Sequence, residues 1–154
     1  MKIPVIKRKM LIAICVIYMG IVLPACSYAV PEENQADIIS SIAVIVNDNF
    51  TNQDKETPLQ ISITEIEELT NDNSDLKKSI EKYNTIKEYR VYLFDNGMIL
   101  VVTENLGLGV RGYVVSDEEL EGTVTVHGVG FDDDKISITN RIENSNLYCF
   151  SAGQ

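Results

Sequence analysis

Residues 90–103 read RVYLFDNGMILVVT, and how this stretch folds decides the architecture of the chain. Asn96-Gly97 stands between two runs of β-branched, aromatic and long aliphatic residues, and Asn-Gly is the pair that tolerates the positive φ of a two-residue type I′ turn. Such a loop sets Phe94 opposite Ile99, Leu93 opposite Leu100, Tyr92 opposite Val101 and Val91 opposite Val102. Apolar residues then occupy both faces of the ribbon. An antiparallel hairpin with one wet face alternates apolar with polar, so this one is expected as a central pair covered on both sides.

Upstream of the hairpin the apolar period changes. Ile38, Ile39, Ile42, Ile45 and Val46 recur at helical spacing behind Asn34 and Asp37, an N-cap signal, and predict a helix over 34–46. The β-branched run from Ile42 to Val46 also suits a buried strand, so the sequence leaves both open there. A polar linker, 47–58, follows. Residues 61–69 begin with alternation and pass to helical spacing at Ile66 and Leu69, and either Ser62 with Glu65 or Thr64 with Glu67 can form a capping box. A further helix is predicted over 75–83, with Leu76, Ile80 and Tyr83 on one face and lysines on the other.

Downstream, strands are expected at 110–115, at 123–131 and 136–142 as a hairpin around residues 132–135, and at 147–151. In the second hairpin Val124 and Val126 set an inward phase on even positions whereas Val129 and Phe131 are odd, which predicts a β-bulge at Gly128, beside His127. The fold expected is α+β: N-terminal helices packed on a curved antiparallel meander of about five to six strands, with no βαβ units. The helix-then-meander order is similar to the layout of cystatin-like folds. That likeness is one of layout and carries no function.

Residues 1–29 have the pattern of an export signal. Lys2, Lys7, Arg8 and Lys9 precede an apolar stretch, 10–23, shorter than a bilayer span; Pro24 and the small-x-small Ser27-Tyr28-Ala29 follow. Cleavage after Ala29 leaves a single exported domain over 30–154, expected to be secreted. Leu23-Pro24-Ala25-Cys26 also resembles a bacterial lipobox, departing from it at Pro24, and on that alternative Cys26 carries a lipid that tethers the domain at the cell surface. An uncleaved leader is the second route to a membrane.

All 23 acidic residues lie beyond Ala29 but only nine of the 13 basic ones do, so that portion carries −14 against −10 for the whole chain. Such a surface repels phosphate backbones and anionic bilayers, which argues against nucleic acid as a partner. With Cys15 and Cys26 in the leader, Cys149 remains, between Tyr148 and Phe150, and a domain of this size needs no disulfide. The basic-poor, Ile- and Asn-rich composition behind a short leader reads as bacterial.

The chemical motifs are fragmentary. Gly107-Leu108-Gly109-Val110-Arg111-Gly112 matches G-x-G-x-x-G, and Val114 extends it to the form found in protein-kinase Gly-rich loops. A strand rather than a helix follows, and the lysine, catalytic-loop and Asp-Phe-Gly companions are not in the sequence, so turn glycines account for the match. Asn71, Asn73 and Asp75 have calcium-loop spacing, yet Leu76 stands where that loop needs glycine and Lys82 where it needs a bidentate acid. Asp132, Asp133 and Asp134 form a weaker cation candidate and suit a solvated hairpin turn. Asp117, Glu118, Glu119 and Glu121 could supply paired carboxylates, but nothing in their spacing sets the separation such a pair needs.

His127 ahead of Cys149 in an exported β-rich chain resembles the order in sortases, which implies a catalytic pair. The chain departs from that family in having Tyr148 rather than threonine before the cysteine and no arginine in 150–154. Taken together, these observations favour a non-enzymatic secreted or surface-tethered domain, without a cofactor, that binds an extracellular protein or small ligand. Its expected contact surface carries His127, Arg141, Asp117, Glu118 and Glu119. The alternatives are a small extracellular hydrolase using the acids or the His127–Cys149 pair, and a calcium-responsive structural module on Asp132 to Asp134.

Overall fold

In the computed structural model, described over residues 32–153 apart from 71, 87, 106 and 108, three helices precede most of the strands. The order is α1 (Glu32–Asn49), β1 (Leu59–Ile61), α2 (Ile63–Leu69), α3 (Ser74–Ile86), β2 (Arg90–Leu93), β3 (Ile99–Asn105), β4 (Val110–Val115), β5 (Thr123–Thr125), β6 (Lys135–Arg141) and β7 (Leu147–Ala152). The strands form one antiparallel sheet in the order β1-β2-β3-β4-β7-β6-β5. The α+β class, the helices-first order and the antiparallel sheet are as expected; the strand number and order are not. Residues 59–61 add an edge strand, and the last strand inserts beside β4 instead of extending the meander. The link 116–122 crosses three strand spacings, roughly 14 Å, well within the reach of seven extended residues.

The central hairpin forms in a register one residue away from expectation: Arg90 faces Val102, Val91 faces Val101, Tyr92 faces Leu100 and Leu93 faces Ile99. Its loop has three residues rather than two. Phe94 O accepts from Gly97 N at 3.2 Å, Phe94 N donates to Met98 O at 2.9 Å, and Gly97 alone in the loop takes positive φ, +82°. Asn96 stays out of the left-handed region and its Oδ1 accepts from Met98 N at 3.1 Å, so its carboxamide closes the turn that a type I′ loop would have closed through backbone shape. The slip sacrifices no burial, because both faces are apolar: Val91, Tyr92, Leu93 and Ile99 to Val102 are all buried. Hydrophobic pattern fixes register only where one face is wet.

Helices cover the first face. In α1 the residues Ile38, Ile39, Ile42, Ala43 and Val46 are buried, so the helical period prevails over the β-branched content of 42–46, and the strand alternative falls. The helix begins before Asn34, which is therefore not its cap. α2 is capped by Ser62 and Glu65, not Thr64 and Glu67: Ser62 Oγ accepts from Glu65 N at 3.2 Å and Ser62 N donates to Glu65 Oε2 at 3.0 Å. Those bonds hold the Glu65 carboxyl below its ordinary range. α2 packs on α3, and desolvation, then the charge of Glu81 on α3, raise the carboxyl of Glu67 on α2. Asn73 Oδ1 accepts from Leu76 N at 3.0 Å at the start of α3, which gives the residue helix-capping work; Asn71 lies outside the described residues.

Tyr89, just before β2, locates these helices over the sheet, because its side chain adjoins Gln35 of α1, Tyr83 of α3 and Tyr113 of β4. The register puts Tyr113 on the face of Val101 and Val91. The Gln35 amide nitrogen and the Tyr89 hydroxyl are both buried there without a hydrogen bond of good geometry among the described residues. Burial drives the Tyr89 phenol well above the usual tyrosine range; Gln35 offsets part of this, and Tyr83 and Tyr113 add to it. A raised pKa in the folded chain favours the neutral phenol. Its contribution to stability is therefore complete below the unfolded-state value of about 10 and is lost as pH climbs above it. Tyr89→Phe is expected to shrink the fall in thermal midpoint between about pH 9 and about pH 11, and an unchanged fall would assign the alkaline loss to other tyrosines.

The second face is sealed by the β5–β6 connection. Val126, Val129 and Phe131 pack with Tyr92, Leu100, Val102, Val114, Ile136, Tyr148 and Phe150 in one buried cluster. β5 ends at Thr125, so the expected strand 123–131 is replaced by a loop, 126–134, closed by Val126 N donating to Asp134 O at 2.7 Å. Gly128 is a turn residue at φ +77° rather than a bulge, and a Cβ on it would lie 2.8 Å from Pro58 Cδ. Pro58 precedes one edge strand and Gly128 follows the other. The loop thus reaches across the second face from edge to edge, which requires the sheet to curl. The ladder irregularities lie elsewhere, between Val102 and Glu104 and between Ile138 and Asn140.

Candidate functional site

The sheet does not bring His127 and Cys149 together. Cys149, half-buried in β7, pairs with Tyr113 of β4 and Asn140 of β6, whereas His127 lies in the 126–134 loop beside Asp134. From Asn140 back to Asp134 the strand advances roughly 20 Å, and β6 itself stands between β5 and β7. That is far outside hydrogen-bond or one-water reach. His127 Nδ1 is 3.2 Å from Asp134 Oδ2, with the imidazole side chain 73% exposed. Asp132 and Asp133 are exposed next to it, and Asp134 sits at φ +50° within the turn. Among the described residues no group of three His, Cys, Asp or Glu side chains is arranged to hold a metal ion.

At the other end of β6, Arg141 and the acidic loop 116–122 do meet. Arg141 Nε donates to Ser145 O at 3.1 Å, its Nη1 lies 3.8 Å from Glu119 Oε1, and the guanidinium stands 5.4 Å from the Tyr148 ring centroid. Asn146 Nδ2 donates to Asp117 Oδ1 at 3.3 Å and the Tyr148 hydroxyl to Glu118 O at 3.4 Å. These contacts tie the crossover loop to the β6–β7 turn. Each exposed charge pair is worth little by itself, yet the set explains why an acidic loop sits beside an arginine: it anchors the crossover. The expected contact surface therefore splits, with Arg141, Asp117, Glu118 and Glu119 together and His127 remote from them.

A third region was not singled out by the sequence. A cleft of ≈ 940 Å³ opens where β2 and β4 begin and β3 and β7 end, between the β3–β4 turn and the Gly130 to Asp132 part of the covering loop. Arg90, Asn105, Val110, Arg111, Phe131 and Asp132 line it together with four glycines. Phe131 belongs to the buried cluster of the second face and Val110 packs against it, so the floor is continuous with the core. Arg90 is half-buried and, by register, on the face of Tyr92 and Leu100; Arg111 is exposed at the edge of the cleft, alternates onto the opposite face with Tyr113, and stands opposite Glu104 across the β3–β4 ladder. Among the described residues neither guanidinium is within 4.0 Å of a carboxylate, in contrast to Arg141.

The signal that could have pointed here is scarcity: beyond residue 88 the chain has only Arg90, Arg111, Lys135 and Arg141 as basic residues, and two of the four line one cleft. No family model, curated protein or solved structure matches the chain. The export signal, its cleavage site and Cys26 lie outside the described residues, and none of the described helices is long and apolar enough to cross a membrane.

Proposed function

We propose that the chain is an exported, non-enzymatic binding domain, secreted or tethered at the cell surface, that holds a small extracellular ligand in the cleft between the β3–β4 turn and the covering loop. The observation that carries this is the cleft itself, which unites an apolar floor with polar side chains on the ends of three strands of one sheet and on the covering loop. Arg90, Asn105, Val110 and Arg111 stand on strand ends, which hold side chains more firmly than loops do, and this lowers the ordering cost of binding. The hydrolase alternative lacks such a focus: Cys149 pairs with Asn140, roughly 20 Å of strand from the Asp134 beside which His127 lies, and its acidic loop is engaged in holding the crossover.

The test is to equilibrate the purified protein with a small-molecule extract of its native medium, isolate it by gel filtration, and identify retained molecules by mass spectrometry. A retained molecule that raises the thermal midpoint when added back supports the proposal, because a ligand selective for the native state must stabilise it. Recovery of cleavage products in place of an intact molecule would favour the hydrolase, and retention of nothing would sink the proposal.

A further inference from the structure

Resting on the binding-domain reading, we infer that the cleft takes an oxyanion, carboxylate or phosphate, borne by a small solute, with Arg90 as its anchoring cation and Arg111 at the rim. Arg90 starts β2 on the buried second face, and its strand neighbours on that face are Tyr92 and, across the ladder, Val102. A guanidinium half-withdrawn from water beside apolar groups loses hydration that only a counter-charge restores in full. Among the described residues no carboxylate supplies one within 4.0 Å. An oxyanion entering the cleft does so, and the planar fork of the guanidinium binds two of its oxygens at once.

The remaining lining limits what can enter. Asp132 is in the same cleft and Glu104 stands opposite Arg111, so the local field is only weakly positive inside a strongly acidic domain. Polyanions such as nucleic acid are repelled by that surround, and a bare metal cation meets the Arg90 guanidinium. A single oxyanion on a compact molecule satisfies Arg90 without crowding the acids. Gly107, Gly130 and Gly153, all at positive φ, and Gly109 keep the rim free of side chains, which lets a ligand approach the backbone closely.

The experiment uses the purified protein in a chloride medium free of carboxylate and phosphate, titrated separately with inorganic phosphate and with succinate at matched ionic strength and followed by amide and arginine NMR shifts. Saturable shifts confined to the cleft glycines and to the Arg90 and Arg111 side chains are expected, and the tighter of the two probes identifies the class of oxyanion. Arg90→Gln is expected to weaken that binding about tenfold or more, Arg111→Gln less, and Arg141→Gln not at all. Should Arg90→Gln fail to fold, Arg90→Lys carries the test, since it keeps the charge but not the fork and is expected to weaken binding about threefold or more.

Linear shifts matching those of chloride, or an Arg90 variant that binds like the parent, would overturn the inference. A molecule retained from the native extract that binds the parent and Arg90→Gln alike would overturn it while leaving the binding-domain reading intact. Retention of nothing from the extract removes the reading itself.

Discussion

Leu100→Ala is expected to lower the free energy of unfolding by about 2–5 kcal/mol, the range for truncating a buried leucine, and to fall in its upper half. Leu100 is fully buried in β3, opposite Tyr92 on β2 and Val114 on β4, and belongs to the cluster that Val126, Val129 and Phe131 seal from the other side. The cost of such a truncation depends on how far the surroundings collapse into the space left. Here they cannot collapse far, because β3 is held by ladders on both edges and the covering loop is pinned against Pro58 at Gly128. Urea unfolding should show a lower midpoint at an unchanged slope, whereas Val44→Ala, on the exposed side of α1, should stay within about 0.5 kcal/mol of the parent. A loss below about 1 kcal/mol at Leu100 would mean that the second face is open to solvent and that the 126–134 loop is no lid.

The hairpin around Asn96-Gly97 was legible because a turn pair between two long apolar runs has few other solutions. Its register was not, since a ribbon apolar on both faces buries equally well after a one-residue slip, and the decision fell to the Asn96 carboxamide bonding to Met98 N. The helical period of 38–46 was visible but not decisive, since the β-branched run also suited a buried strand, and burial along one face is what settles it as a helix. The insertion of β7 beside β4 left no trace in the sequence: strand order depends on where the 116–122 link lands, and that landing is set by Asn146, Tyr148 and Arg141 gripping Asp117, Glu118 and Glu119 from far along the chain. The phase change near Gly128 was visible, but whether it becomes a bulge or a loop depends on Pro58, on the opposite edge. The cleft was hidden for the same reason, since Arg90, Asn105, Arg111 and Gly153 come from the ends of four strands and Asp132 from the covering loop, with no shared local motif.

Gly112→Ala is expected to destabilise the fold by about 3 kcal/mol or more, at or above the usual upper limit for adding one methyl to a packed site. Gly112 sits within β4 between Val102 of β3 and Phe150 of β7, and its backbone is ordinary extended strand, so the demand is for space and not for positive φ. A Cβ there would run into the Val101 carbonyl oxygen and lie 2.9 Å from Phe150 Cε1. The ring can swing aside; the carbonyl belongs to the central strand and cannot. Combining Gly112→Ala with Phe150→Leu in a double-mutant cycle should therefore recover the ring contribution, a coupling of about 0.5–3 kcal/mol, and leave the carbonyl contribution in place. Gly107, the first glycine of the same G-x-G-x-x-G string, has open space around its would-be Cβ and takes φ +77°, so Gly107→Ala should cost only the left-handed backbone penalty, about 1–2 kcal/mol. A nucleotide loop would make all three glycines matter for ligand and none especially for stability. The expected pattern is the reverse at Gly112, a large loss in urea midpoint with the oxyanion response of the folded fraction unchanged, and a variant as stable as the parent would show that Phe150 does not close over β4 as described.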